Sequence, residues 1–153
     1  MPHVLAGTER ISTEISVGAC AYDVVGDKAR QVVVARVNGE IVDLSHLLND
    51  GDVVEPILIS DPEGLSVLRH SVAHIVAQAT QAVFDDVKLG IGPPIKDGFF
   101  YDFGTDRTFT PDDLVTIEKK CVEIINSGQK FSRRVTNRDE ARVELSSEPF
   151  KIR

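Results

Sequence analysis

Cysteine is scarce in this chain of 153 residues, and its two cysteines, Cys20 and Cys121, lie far apart in the sequence. Neither belongs to a Cys-x-x-Cys pair, so a disulfide scaffold and a zinc ribbon are both excluded for want of ligands. No apolar run approaches the roughly 18 to 20 residues that a membrane helix needs. Residues 1–10 also lack the basic-then-apolar arrangement of a signal peptide, and we therefore expect a cytoplasmic protein.

Positive charge is also in short supply. The sequence has 17 Lys and Arg residues against 24 Asp and Glu residues, for a formal net charge of −7. This balance argues against a general nucleic-acid coat. The Gly-x-x-x-x-Gly-Lys-[Ser/Thr] pattern of a P-loop does not occur in the sequence, which excludes a GTPase.

The first part of the chain has the pattern of a small β-rich module. Residues 31–43 contain two β-branched runs separated by Asn38-Gly39, which predicts a hairpin with a type I′ turn. A short helix is predicted between Ser16 and Val25. A strand is predicted over Val53–Ile59, which Pro56 restricts to a sheet edge or a bulge. Together these elements indicate an α+β module, of β-grasp type.

The next segment begins with a strong helix signal. Asp61-Pro62 combines a capping residue with proline at the first helical position, and an apolar stripe then continues for about six turns to Asp85-Asp86. Strands are predicted over Lys88–Ile91 and Phe99–Phe103. The glycine- and proline-rich stretch 92–98 is predicted to join them as a rigid loop.

Helical signals return in the last third of the chain. Thr110-Pro111, followed by two aspartates, predicts a helix to about Ser127 that Gly128 terminates. A strand over Phe131–Val135 and a short helix capped by Thr136 are predicted to follow.

Two histidines on the long predicted helix are the first candidate for chemistry. His70 and His74 are four residues apart, so both imidazoles lie on one face about one turn from each other. Such a pair can combine a general base with a hydrogen-bonding group, or hold a metal. A zinc protease would need Glu directly after the first His, where this chain has Ser71. The alternative is a pair of half-buried histidines on an amphipathic helix.

The surroundings of this pair favour a binding site. Ala73 and Ala77 are predicted to leave space above the helix for a ligand. The strand Gly98–Asp102 offers close backbone approach, an aromatic platform and a carboxylate together. Ordinary core packing explains the same strand by alternation, and the two interpretations are compatible.

These residues carry a resemblance to a known family. Residues 68–74, Leu-Arg-His-Ser-Val-Ala-His, and the block 91–102, which ends in Gly-Phe-Phe-Tyr-Asp, resemble the opening of the editing domain of bacterial threonyl-tRNA synthetase. Residues 37–43 resemble the hairpin of the TGS domain, a ubiquitin-like β-grasp module. The resemblance covers nearly the whole chain. It implies a TGS-like domain over residues 1–61 and the first part of an incomplete editing domain over residues 62–153.

The resemblance also implies a function for the intact enzyme. One methyl group distinguishes threonine from serine and is worth only about 1 to 3 kcal/mol of binding discrimination, so mischarged Ser-tRNA(Thr) is hydrolysed at a second site. That site is built from the two helix histidines and a downstream Cys-x-x-x-His pair. Val24 and Ile125 stand four residues after the two cysteines, so this chain lacks the second pair. We therefore expect the fragment to be inactive alone, with threonylation in a catalytic domain beyond residue 153.

The family implies a role for each candidate residue. His70 would orient or deprotonate the attacking water, and His74 would hold the seryl group or the terminal ribose. Gly92 would allow close backbone contact with the substrate, Tyr101 would pack on the terminal adenosine, and Asp102 would form a hydrogen bond nearby.

The resemblance implies partners and cofactors as well. The expected partners are the 3′ end of tRNA(Thr) with its seryl group, the remainder of the synthetase chain, and a second subunit of a homodimer. No cofactor or metal is expected in this region. ATP, magnesium and zinc are expected only in the catalytic domain.

Two other functions remain open from the sequence. The chain can be a TGS-type RNA or regulatory binding module without catalytic activity, although residues 1–62, with 4 basic and 10 acidic side chains, are poorly suited to hold RNA unaided. A freestanding editing hydrolase is disfavoured by the missing Cys/His pair. An assay of Ser-tRNA deacylation separates the enzyme from the binding module.

Overall fold

A computed structural model describes residues 1–6, 11–25, 30–132 and 134–151 of the chain. The chain divides into two compact units, Met1–Leu68 and Arg69–Arg153. This division falls inside one helix, Pro62–Val83, whereas the sequence predicted a domain boundary after residue 61. In the described ranges no helix has the length and apolarity to cross a membrane.

The first unit is built on a five-stranded sheet. Its strands, in spatial order, are β2, β1, β5, β3 and β4, with β1 and β5 parallel and the other neighbours antiparallel. A short helix, α1, packs with the sheet around a core of small and β-branched side chains, among them Val4, Ala21, Ala35 and Val54. The predicted β-grasp fold of the α+β class is confirmed. The strand bounds are His3–Ala6 (β1), Ile11–Glu14 (β2), Val32–Val37 (β3), Glu40–Val42 (β4) and Val53–Leu58 (β5), and α1 is Ala21–Val25.

The predicted hairpin is confirmed together with its turn. Strands β3 and β4 pair antiparallel up to Val37 and Glu40. Between them Asn38 has a φ of 51° and Gly39 a φ of 91°, as a type I′ turn requires at both central residues.

The first helix is shorter than predicted. It begins at Ala21, because the Asp23 carboxylate accepts a hydrogen bond from the Cys20 N–H and fixes the start of the helix there. Val17, which the helical spacing had included, precedes the helix and is 92% exposed.

The prediction for Pro56 was partly wrong. Strand β5 lies in the middle of the sheet, not at its edge. Within the described residues, β1 pairs with β5 at Val53 and Val54, and Pro56 pairs with Ala35 of β3. The register irregularity lies in β3, between Val32 and Val34. The predicted edge position is therefore wrong, while an irregularity does lie in the strand that pairs with Pro56.

A buried carboxylate joins the hairpin turn to the start of β5. Asp52 is 8% exposed, and its oxygens accept hydrogen bonds from the Asn38 side-chain amide at 2.7 Å and from the Asn49 N–H at 2.7 Å. The Asn38 amide oxygen accepts in turn from the Val53 N–H. Burial opposes ionisation, but the hydrogen bonds from Asn49 and Asn38 outweigh it and lower the pKa of Asp52.

We expect Asp52→Ala to lower the free energy of unfolding by about 2 to 3 kcal/mol, because it leaves buried donors without their charged acceptor. Because the folded-state pKa is lowered, the ionised carboxylate stabilises the fold above its unfolded pKa. That stabilisation is lost as the pH falls through the folded pKa. Urea unfolding of the wild type and the variant at pH 7 and at pH 3 measures both effects. Glu40→Ala, at an exposed site on β4, is the matched control and should change stability little. An equal loss in both variants would contradict the assignment.

The long helix α2 and two small hairpins follow the sheet. Helix α2 spans Pro62–Val83, as the Asp61-Pro62 signal predicted. Strands β6 (Lys88–Leu89) and β9 (Phe103–Gly104) pair antiparallel. The stretch 92–98 was predicted to be only a loop, but it contributes to a second hairpin, formed by β7 (Pro94–Ile95) and β8 (Gly98–Phe99).

The third helix confirms its capping signals. Helix α3 spans Pro111–Asn126, and Thr110 and Asp113 form a reciprocal capping box. Gly128 follows with a φ of 65°, a left-handed conformation that ends the helix.

Two predictions after α3 were wrong. The described residues of 131–135 form no strand, and Phe131 and Val135 are 66% and 78% exposed. Their β-branched and aromatic composition is not sufficient, because a strand needs a neighbouring edge with which to pair. Helix α4, Arg138–Glu144, is capped by Asn137 and not by Thr136, since the Asn137 side chain accepts from two helical N–H groups.

Candidate functional site

The two histidines of α2 are in direct contact. Their Nε2 atoms are 3.0 Å apart, and the ring centroids lie 4.7 Å apart at an interplanar angle of 73°. An N–H···N bond needs one donor and one acceptor, so at most one imidazole of His70 and His74 is protonated while it exists. The helical spacing thus produces the coupled pair that the sequence predicted.

The pKa of His74 is lowered. Partial burial lowers its pKa first, and the positive charges that His70 and Lys151 can carry lower it further. A neutral imidazole near pH 7 can accept a proton or a hydrogen bond from a substrate.

His74 also forms part of the wall of an open cleft with a volume of about 630 Å³. The cleft is lined by His74, Ala77, Gln78, Gln81, Ala82, Leu89, Phe131 and Ser132. The prediction that Ala73 leaves space for a ligand was wrong, because Ala73 is completely buried. Ala77 does line the cleft, although it is only 2% exposed.

Tyr101 lies in an aromatic and glycine environment. Its ring stacks on Phe103 with centroids 4.9 Å apart and an interplanar angle of 22°. A Cβ added at Gly92 would lie 2.1 Å from Cδ2 of Tyr101, so this ring fills the space that the glycine leaves. Contact of Gly92 with a substrate stays a prediction, as does the stacking of Tyr101 on adenosine.

Asp102 is fixed through its backbone. Its carbonyl accepts from the Gly90 N–H at 2.9 Å, and its N–H donates to the Ile91 carbonyl at 2.8 Å. The side chain is exposed. None of Gly92, Tyr101 and Asp102 lines the cleft beside His74. Another residue connects these three residues with the His pair.

That connection is Lys151, which the sequence analysis missed. Its Nζ atom lies 5.8 Å from the centroid of the Tyr101 ring, and its charge contributes to the lowered pKa of His74. The ammonium group of Lys151 therefore lies near Tyr101 and is close enough to His74 to disfavour its protonation. No periodic signal marks this lysine, because it lies 68 residues after the end of α2 at Val83.

Arg69, the residue before His70, holds the β7–β8 hairpin. The guanidinium of Arg69 donates to the backbone carbonyls of Ile95 at 3.3 Å and Lys96 at 2.5 Å.

Within the described residues, no group of three or more His, Cys, Asp or Glu side chains lies close enough to hold a metal ion. Two imidazoles are too few to bind zinc as a structural site.

Comparison with known proteins identifies the relationship. Residues 10–57 match the model of the TGS domain. A threonine–tRNA ligase of Thermobifida fusca is 53% identical over 148 residues, which cover 97% of this chain and 22% of that protein. The chain is homologous to threonyl-tRNA synthetases. The threonine–tRNA ligases of Parafrankia sp. and Nocardioides sp. are 57% identical over 126 residues and 49% identical over 152 residues, covering 82% and 99% of the chain.

The chain spans about a fifth of the length of these threonyl-tRNA synthetases, with 19% and 22% of the Parafrankia and Nocardioides proteins covered. The resemblance to the N-terminal region of bacterial threonyl-tRNA synthetase is confirmed. The matched TGS segment lies in the first unit and the His pair lies in the second.

Proposed function

We propose that this region, within an intact threonyl-tRNA synthetase, forms part of the site that hydrolyses mischarged Ser-tRNA(Thr). The main support is the 3.0 Å contact between His70 and His74, with the pKa of His74 lowered and its ring on the wall of an open cleft. Ester hydrolysis at neutral pH needs such a proton acceptor close to a water molecule.

The proposed reaction consumes only water and the seryl ester. A water molecule attacks the carbonyl carbon of the seryl ester, the bond to the ribose oxygen breaks, and the products are serine and free tRNA. His70 orients or deprotonates the water. His74, at the cleft, holds the seryl group or the terminal ribose. The hydrogen bond between the two rings keeps the rings in a fixed relative position.

The remaining site residues are proposed to bind the end of the tRNA. Tyr101 packs on the terminal adenosine, as aromatic rings do with unpaired bases. The exposed carboxylate of Asp102 accepts a hydrogen bond nearby, and Gly92 lets the backbone come close to the substrate.

The wider assignments follow from the same proposal. The partners are the seryl-tRNA(Thr) end, the rest of the synthetase chain and a second subunit in a cytoplasmic homodimer. The editing region works without a cofactor, while ATP, magnesium and zinc serve threonylation in the catalytic part of the enzyme.

A deacylation assay tests the proposal. Purified Ser-tRNA(Thr) is incubated with the intact synthetase and with the 153-residue chain, and release of serine is followed. We expect hydrolysis by the intact enzyme and none above background by the chain alone, because the chain lacks the Cys-x-x-x-His half of the site. Thr-tRNA(Thr) is the matched control substrate and should survive. Binding of tRNA without hydrolysis by the intact enzyme would favour the TGS-type binding module instead.

A further inference from the structure

The carboxylate of Glu148 has both oxygens engaged by the elements that form the cleft. Oε1 accepts a hydrogen bond from the Gln81 side-chain amide at 2.6 Å, and Oε2 accepts from the Leu89 N–H at 2.7 Å. The Gln81 amide also donates to the Val87 carbonyl at 3.3 Å. Gln81 and Leu89 both line the cleft beside His74. The carboxylate therefore ties the last described segment of the chain to α2 and β6.

A single turn of backbone connects this anchor to Lys151. The Glu148 carbonyl accepts a hydrogen bond from the Lys151 N–H at 2.9 Å. Pro149 lies inside the turn and restricts its φ angle. Next to Lys151, the Phe150 ring packs against Gly104, where an added Cβ would lie 2.4 Å from Cε2 of the ring. The Cα position of Lys151 is thus fixed from two sides.

A fixed backbone matters here because lysine carries its charge on a flexible four-carbon stem. An ammonium group on an unanchored segment would sample a large volume and would be hydrated for most of the time. Anchoring the turn keeps it near the Tyr101 ring, whose centroid lies 5.8 Å from Nζ.

We infer that Glu148 is a positioning residue, which acts through Lys151 by fixing the 148–151 turn against Gln81 and Leu89. This inference rests on the proposed editing function, which assigns roles to Tyr101 and His74. Gln81 is part of the same arrangement, because its side-chain amide donates a hydrogen bond to the Glu148 carboxylate.

The first test uses the 153-residue chain and does not depend on catalysis. NMR titration gives the pKa of His74 in the wild type, in Glu148→Ala and in Lys151→Met, and the ε-methylene shift of Lys151 reports its contact with the Tyr101 ring. We expect both variants to raise the pKa of His74, Glu148→Ala by less than Lys151→Met, and Glu148→Ala to abolish the ring-current shift. Deleting a carboxylate has the opposite direct effect on a nearby histidine, so the sign of the change separates the two explanations.

A purely structural role for Glu148 predicts a different result. Glu148→Ala would then lower the melting temperature while the folded protein kept the wild-type His74 pKa and Lys151 shift, and this would overturn the inference. If the alanine variant does not fold, Gln81→Ala decides in the same way, because it removes one of the two donors and leaves the Leu89 bond. Asp106→Ala, which deletes an exposed carboxylate, is the matched control and should change neither signal.

The second test uses the intact synthetase. We expect Glu148→Ala and Lys151→Met each to slow Ser-tRNA(Thr) deacylation roughly 10²-fold, with no further loss in the double variant. In the double variant Gln81→Glu with Glu148→Gln, the donor and the acceptor of the hydrogen bond between these two side chains exchange places. This variant should regain most of the lost deacylation rate. If the titration result holds but no variant affects deacylation, the positioning of Lys151 by Glu148 stands and a role of its ammonium in deacylation is excluded. Absence of deacylation in the wild-type enzyme would instead make the editing proposal fail. If the titration result fails, the inference fails whatever the deacylation rate.

Discussion

His70→Ala and His74→Ala in the intact synthetase are each expected to reduce the rate of Ser-tRNA(Thr) deacylation by roughly 10²- to 10⁴-fold, so that mischarged tRNA accumulates. The two imidazoles share one hydrogen bond of 3.0 Å, and removing either ring leaves the other without its partner. The double variant should therefore lose little more than the single variants, as is usual for groups that act as a unit. Deacylation of preformed Ser-tRNA(Thr) in single-turnover experiments measures the effect.

The control for these variants is threonylation by the same protein. It should continue at the wild-type rate, because the proposal assigns it to another part of the enzyme. His46→Ala removes an exposed histidine from the first unit and should leave deacylation unchanged. Wild-type deacylation in both α2 variants would exclude the histidine pair from the reaction.

The same pair gives the reaction a defined pH dependence. Since the folded-state pKa of His74 is lowered, the ring stays neutral at pH values where an ordinary histidine begins to protonate, near 6.5. We expect the deacylation rate to persist below that value and to be lost as the pH falls through the lowered pKa. In Lys151→Met this loss should move to higher pH, because one of the charges that disfavour protonation is gone.

Local signals predicted the parts of the fold that depend on local interactions. Asn38-Gly39 specified the hairpin because only residues that tolerate a positive φ suit a type I′ turn. The capping residue before Pro62 specified the start of α2, and helical periodicity placed His70 beside His74. The family resemblance added the choice of Gly92, Tyr101 and Asp102.

The signals failed where a structure depends on residues that are distant in sequence. The segment 131–135 has strand-like composition, but the structure provides no strand beside it in the described ranges. Glu148 meets Gln81 and Leu89 over separations of 67 and 59 residues, and such contacts leave no pattern in a single sequence. Lys151 was missed for the same reason. Ala73 was misjudged because a small residue on a helix face indicates close packing as readily as an open pocket.

Gly64 leaves less room for a side chain than the other described glycines of the first unit. An added Cβ would lie 2.0 Å from the backbone oxygen of Leu58 at the end of β5. That oxygen already accepts from the Asp61 N–H at 3.0 Å, and the Asp61 carboxylate accepts from the Leu58 N–H at 2.8 Å. Leu58 cannot move aside without breaking this reciprocal pair.

We therefore expect Gly64→Ala to lower the free energy of unfolding of the first unit by about 3 kcal/mol or more, the upper end of the range for overpacked sites. In an unhindered helix the same change would stabilise by about 1 kcal/mol, because alanine is the better helix former, so the contact reverses the sign. Urea unfolding monitored by circular dichroism measures the change. Ser66→Ala, two residues along at an exposed site of α2, is the matched control and should be neutral or slightly stabilising. Equal stability of the two variants would mean that the first turn of α2 does not pack on the end of β5 in solution.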